Sequence, residues 1–112
     1  MSYYDINGKP MELMEWAKKV EDYQYRTIGH DFIGPYRIST AWMGLDYNFF
    51  GGPPLIFETM IFKGSKIDFE YQERYTTLAQ AQLGHKIAKE FVETQMEGIR
   101  KDSQSEDPDQ SG

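Results

Sequence analysis

The chain contains no cysteine. Disulfide staples, thiol nucleophiles and cysteine-bound zinc are therefore excluded, and a reducing compartment, the cytoplasm, is the expected location. Histidine is nearly as scarce, with two residues, His30 and His85. His30 adjoins Asp31, yet neighbours on a strand point to opposite faces, so that pair cannot act as a dyad there. His85 reads as a boundary residue beside the apolar stripe of a helix. Long apolar runs are missing as well, and the opening MSYYDINGK has neither the basic region nor the apolar stretch of an export signal. Neither a membrane span nor a secretory signal is expected. No Gly-x-Ser-x-Gly elbow, His-Glu-x-x-His motif or cofactor-binding signature occurs, so no catalytic team is assembled and no cofactor is expected.

Bases are the minority charge, with 12 Lys and Arg against 18 Asp and Glu and a net charge of −6. Five acids and two bases lie from Glu97 onward, so half of the excess belongs to the tail and residues 1–96 are only mildly acidic. A binder of nucleic-acid backbone would gather Lys and Arg on one face, and a nucleic-acid mimic would need dense rows of carboxylates. Neither pattern is present, so no nucleic-acid partner is expected.

What the chain does have is aromatic residues, 15% of 112 positions, enough to build one modest core without staples. A single α+β domain over residues 1–98 is expected, followed by a disordered acidic and polar tail over 99–112, where KDSQSEDPDQSG holds no aliphatic or aromatic residue. Asn7-Gly8 marks a turn, and Leu13, Trp16, Ala17 and Val20 recur at helical spacing within a helix from about Met11 to Glu21. A broken alternation from Tyr23 to Phe32 predicts a first strand that ends at Gly34-Pro35. Tyr36 to Met43 alternates cleanly and Pro54 to Phe62 is apolar on both sides, a central strand covered on both faces or lying at a subunit contact. Phe69 to Tyr75 alternates again. Thr77 and Gln80 form a capping box that opens a last helix, whose stripe is Ala81, Gly84, Ala88, Phe91 and Val92. The order predicts an antiparallel four-stranded meander with an N-terminal and a C-terminal helix packed on one face.

The connector Gly44 to Pro54, between two of these strands, is richer than a link requires. Asp46 and Asn48 could present two oxygens together, and Asp46 with Glu58 could hold a hard cation, although the calcium-loop pattern is not met and no metal site is expected. Turn chemistry is the simpler role for both. Gly51-Gly52 supplies positive φ and Pro53-Pro54 sets the exit. Glu58, inside LIFETMIF, is the one catalytic candidate: a desolvated carboxyl is useful for proton transfer, whereas pairing with Arg37, Arg74 or a tyrosine would make it structural. Tyr47, Phe49 and Phe50, with Trp42 just before them, form either a contact surface or a plug for the core.

The segment STAWMGLDYNFFGGPPLIFETMIF, Ser39 to Phe62, with ERYTT at Glu73 to Thr77, resembles a family of small uncharacterised bacteriophage and bacterial proteins. That family carries ST-x-W-x-GLD-x-NF-x-GGPPLIFETM-x-F followed by ERY-x-T, and the resemblance covers Tyr36 to Val92. It implies a phage or prophage accessory protein and supplies no catalytic residues. Tyr47 and Phe50 stand at the two variable positions of the loop, where the resemblance leads one to expect His and Gly, which weakens a metal or flexible-loop role at those positions. The expected function is a non-enzymatic binding module, a host-protein inhibitor or a sequestering agent for a small ligand, with a counter-defence role in view. Its contact residues are Trp42, Asp46, Tyr47, Asn48, Phe49, Phe50 and Glu58. The alternative is a small hydrolase or transferase using Glu58 or Asp46, with or without a divalent cation. A homodimer would cover the two-sided apolar strand.

Overall fold

The structure is a computed structural model that describes residues 2–105, with side chains to Arg100. A two-residue hairpin, β1 (Tyr3–Tyr4) and β2 (Pro10–Met11), precedes helix α1 (Leu13–Glu21) and a single helical turn, α2 (Tyr23–Arg26). The antiparallel sheet follows, β3 (Thr27–Ile33), β4 (Tyr36–Trp42), β5 (Phe57–Lys63) and β6 (Lys66–Tyr75), in the order β3-β4-β5-β6. Helix α3 (Leu78–Ser105) closes the chain. The expected α+β meander is therefore the observed fold.

The hairpin is built on Asp5, whose Oδ1 accepts from the backbone N–H of Asn7 and Lys9 while Gly8 turns the chain at φ 82°. It claims Pro10 and Met11, so α1 starts at Leu13 rather than near Met11. Tyr23 to Arg26 is helical where alternation predicts strand. Asp22 is the cause: its carboxylate accepts from the Tyr25 N–H and caps that turn.

The sheet's two faces differ sharply. Tyr36, Ile38, Thr40 and Trp42 of β4 are buried while Arg37, Ser39 and Ala41 are half-buried, so the period of two in the sequence is the period of burial. α3 covers the first face. Ile38, Ile61, Ala88 and Val92 form one cluster beneath it, and Trp42, Ile56, Phe57 and Ala81 form a second, on which Trp16 and Val20 of α1 and the α2-turn Tyr25 pack. The capping box is present as read: Thr77 N–H donates to Gln80 Oε1 and Gln80 N–H to Thr77 Oγ1, each at 3.1 Å. The helix is helical through Ser105, past the boundary placed at residue 98, although Met96 is the last of its side chains packed on the core. The rest of that tail, 106–112, lies outside the described residues.

Among the described residues the second face has no long helix over it, only the α2 turn at one end. β5 is central, yet Met60 and Phe62 on this side are only half-buried, shielded by neighbouring strands rather than by a second layer. Among the described residues no helix is long and apolar enough to cross a membrane.

Candidate functional site

The connector leaves β4 at Trp42 and stays close to the sheet through hydrogen bonds from the Met43 N–H to Ile56 O (2.7 Å) and the Tyr47 N–H to Leu55 O (3.1 Å). Asp46 Oδ1 accepts from the N–H of Asn48 at 2.8 Å and of Leu55 at 3.1 Å, tying the two ends of the loop together. Asn48 does the same one step further on, donating from Nδ2 to Pro53 O at 2.9 Å. These are the turn roles that short polar side chains favour. Gly44, Gly51 and Gly52 all have positive φ. Gly44 has a further constraint, since a Cβ there would meet the rings of Trp42 and Trp16 at 2.5–2.6 Å.

The result is a braced loop with two aromatic side chains at its tip. Phe49 is 78% exposed and Phe50 is fully exposed, so neither plugs the core. Trp42 is the opposite case. It is 1% exposed, its Nε1 donates to Tyr4 O at 3.0 Å and Tyr25 packs edge-on against it, so it is a core residue and does not belong to a contact surface. A large aromatic ring at the end of an alternating strand follows the buried parity, and that parity was legible.

Tyr47 folds onto the helix-free face and lies 4.5 Å from the Arg74 guanidinium. Arg74 Nε donates to Glu58 Oε2 at 3.0 Å, and Gln72 Nε2 donates to the same oxygen at 2.8 Å. Glu58 is thus buried beside a guanidinium that Tyr47 covers, and the partner foreseen as Arg37, Arg74 or a tyrosine is Arg74. Its charge is compensated by the cross-strand register, since Glu58 stands opposite Arg74 in β6. Asp46 engages neighbours through Oδ1 and Glu58 through Oε2. Among the described residues no group of three or more His, Asp or Glu stands together to hold a metal ion.

Sequence reasoning missed a second polar group, on the covered face. His85 is buried, with Nε2 2.6 Å from Asp31 Oδ2 and Nδ1 2.7 Å from Thr40 Oγ1, and Thr40 bonds Thr59 at 2.5 Å. Thr59 in turn bonds the Tyr75 side chain. The signal was two threonines directly paired on the buried parity of β4 and β5, with Gly29 across from Thr40 on β3. A Cβ at Gly29 would come within 2.5 Å of the His85 ring, so glycine makes the seat. The His85 hydrogen bond, aided by Lys89 at 3.7 Å, holds the Asp31 carboxyl below its ordinary value against the opposing effect of burial. The arrangement has the residue types of an Asp-His-hydroxyl triad. Its hydroxyl, on Thr40, is completely buried, so no substrate reaches it.

Comparison of the chain with protein-family models, curated proteins and solved structures finds no match in any of the three.

Proposed function

We propose that this protein is a non-enzymatic binding module, a phage- or prophage-type accessory protein that acts in the cytoplasm and engages a host protein through the tip of its 44–54 connector. The observation that carries the reading is the full exposure of Phe50 beside the largely exposed Phe49 on a loop held by four hydrogen bonds from or to the side chains of Asp46 and Asn48. Aromatic side chains are enriched at protein interfaces, and a loop fixed before binding loses little conformational freedom on docking. Engagement of Glu58 Oε2 by Arg74 and Gln72, and of Asp46 Oδ1 by backbone N–H groups, favours structural roles for both carboxylates over the hydrolase or transferase alternative.

The test uses the full chain immobilised against lysate of a bacterial host, beside the Phe49→Ala/Phe50→Ala variant. Both side chains are exposed, so the variant keeps the wild-type thermal transition. Capture of a protein by the wild type and its loss in the variant supports the reading. Equal capture by both, or capture by neither, overturns it.

A further inference from the structure

The helix-free sheet face carries a feature that does not depend on the connector tip. A cleft of about 190 Å³ opens at the β3 side of this face, lined by Ala41 and by the polar residues Tyr23, Arg26, Thr27, His30, Arg37 and Ser39. A β-bulge assembles it. Thr27 pairs with Ala41 while Gly29 pairs with Thr40, so one residue, Ile28, is extra and the register shifts there. Residues three apart on a regular strand face opposite ways; the bulge brings Thr27 and His30 to the same face, opposite Ala41 and Ser39. The α2 turn then sets Tyr23 and Arg26 over the same end, with Tyr23 Oη 3.4 Å from His30 Nδ1.

Each of those six polar side chains ends in a hydrogen-bond donor, and none ends in a carboxylate. Two of them are guanidinium groups. Arg74, farther along the face, is neutralised by Glu58, whereas neither Arg26 nor Arg37 has a carboxylate partner among the described residues. Each is instead placed against an aromatic ring, Arg37 at 4.2 Å from Phe62 and Arg26 at 5.6 Å from Tyr23. Stacking of this kind orients a guanidinium plane while leaving its in-plane N–H groups unused. Two unpaired positive charges sharing a cleft, in a chain of net charge −6, call for an anion.

We propose that this cleft is a binding site for the phosphoryl group of a small phosphate ester. A carboxylate has two acceptor oxygens, whereas a phosphate monoester has three terminal oxygens and close to two negative charges, which matches two guanidiniums with hydroxyl and imidazole donors around them. The volume lies below the ~300–1,000 Å³ of a pocket that encloses a whole drug-sized ligand. The phosphoryl group therefore enters and the organic part lies along the open face towards Phe32, whose exposed ring packs on His30 at 5.2 Å. A nucleic-acid strand is disfavoured by the overall negative charge.

The experiment is an NMR titration of the full chain with inorganic phosphate and with glycerol 3-phosphate, against acetate and chloride at equal ionic strength. The expected result is a saturating shift of the Arg26 and Arg37 Nε–H, His30 and Ser39 signals with both phosphates and not with acetate or chloride. Arg26→Gln/Arg37→Gln should weaken it by tenfold or more, while Arg100→Gln, on the surface of α3, leaves it unchanged. The dispersion of the variant's spectrum reports its folding, and Arg37→Gln alone serves if the double variant unfolds. Shifts that never saturate, that acetate reproduces or that survive Arg37→Gln overturn the site; binding of inorganic phosphate without the ester overturns the ester assignment. The connector variant Phe49→Ala/Phe50→Ala should bind phosphate normally, so failure of this site and failure of the connector are separately visible.

Discussion

His85 of the last helix and Asp31 of the first sheet strand meet at 2.6 Å across 54 positions of sequence, and a chain of buried hydrogen bonds runs inward from the contact. With Nε2–H donating to the carboxylate, Nδ1 of a neutral imidazole accepts from the Thr40 hydroxyl. Thr40 then accepts from Thr59, which also bonds the Tyr75 side chain. Thr40 donates once and accepts once, and no buried side-chain N or O among the described residues lacks a partner. The chain thereby clamps α3 to three strands, β3, β4 and β5, and to β6 through Tyr75.

Breaking the clamp at its centre is expected to be costly. His85→Leu removes the acceptor for Thr40, leaves a completely buried hydroxyl without its partner and strips Asp31 of its donor. Leaving a buried polar group unsatisfied costs about 1–3 kcal/mol, so urea unfolding should show a loss of ~2 kcal/mol or more. Thr94→Ala, which removes only an exposed hydroxyl bonded to the Glu90 carbonyl, should change stability by no more than ~0.5 kcal/mol.

The Asp31 contribution should depend on pH with a definite sign. Its carboxyl is held below the ordinary value of 3.8, first by the His85 hydrogen bond. A group depressed in the folded state stabilises above its unfolded value and loses that contribution as the pH falls through the folded one. Wild type should therefore be more stable than Asp31→Asn near neutrality, and the difference should close below about pH 4. The side chain is 40% exposed, so the gap is modest. Urea midpoints of both proteins between pH 7 and pH 3 test this, and a gap that stays constant would mean that the carboxylate charge is not its source.

The elements legible in the sequence were those set by local periodicity. β4 reads correctly because Tyr36, Ile38, Thr40 and Trp42 alternate without interruption, and α3 because Thr77 and Gln80 cap it and Ala81, Gly84, Ala88 and Val92 share its stripe. Failures came where a side chain acts on distant backbone or across layers. Asp22 turned Tyr23–Arg26 into a helical turn, and the Ile28 bulge broke an alternation that otherwise reads as irregular strand. Tyr47 reached Arg74 through a folded loop, and His85 found Asp31 and Thr40 only once the helix lay on the sheet. Local pattern carries information about which face a residue takes; it carries little about which partner waits there.

Two tyrosines should ionise above the usual value for the side chain. Burial raises Tyr71 above its usual 10.0, with Tyr75 and Glu73 adding to the effect, and burial raises Tyr75 likewise, partly offset by its hydrogen bond with Thr59. A raised folded value means that stability is intact below pH 10 and is lost as pH rises through that value. Tyrosinate absorbance in the alkaline range should show a late component from these two, and unfolding should set in as they ionise. In Tyr71→Phe the lagging component should fall to one; an unchanged titration would place the late group elsewhere.

Gly84 and Gly98 offer opposite outcomes from the same substitution in the same helix. Alanine replaces glycine in an exposed helix interior with a gain of ~0.5–1 kcal/mol, because glycine surrenders more backbone freedom on folding. At Gly98 nothing lies within 4 Å of an added Cβ, so Gly98→Ala should deliver that gain. At Gly84 the added carbon would run into the Tyr75 ring and hydroxyl, although the backbone there is ordinary helix. Overpacking costs about 1–3 kcal/mol, so Gly84→Ala should be a net loss despite the better helix former. Tyr75 also ends the hydrogen-bond chain from Asp31, and pushing its ring aside should disturb Thr59. The cause can be isolated with Tyr75→Ala: in that background Gly84→Ala should turn from a loss into a gain. Equal losses with and without the Tyr75 ring would mean that the glycine serves something other than the close approach of that ring.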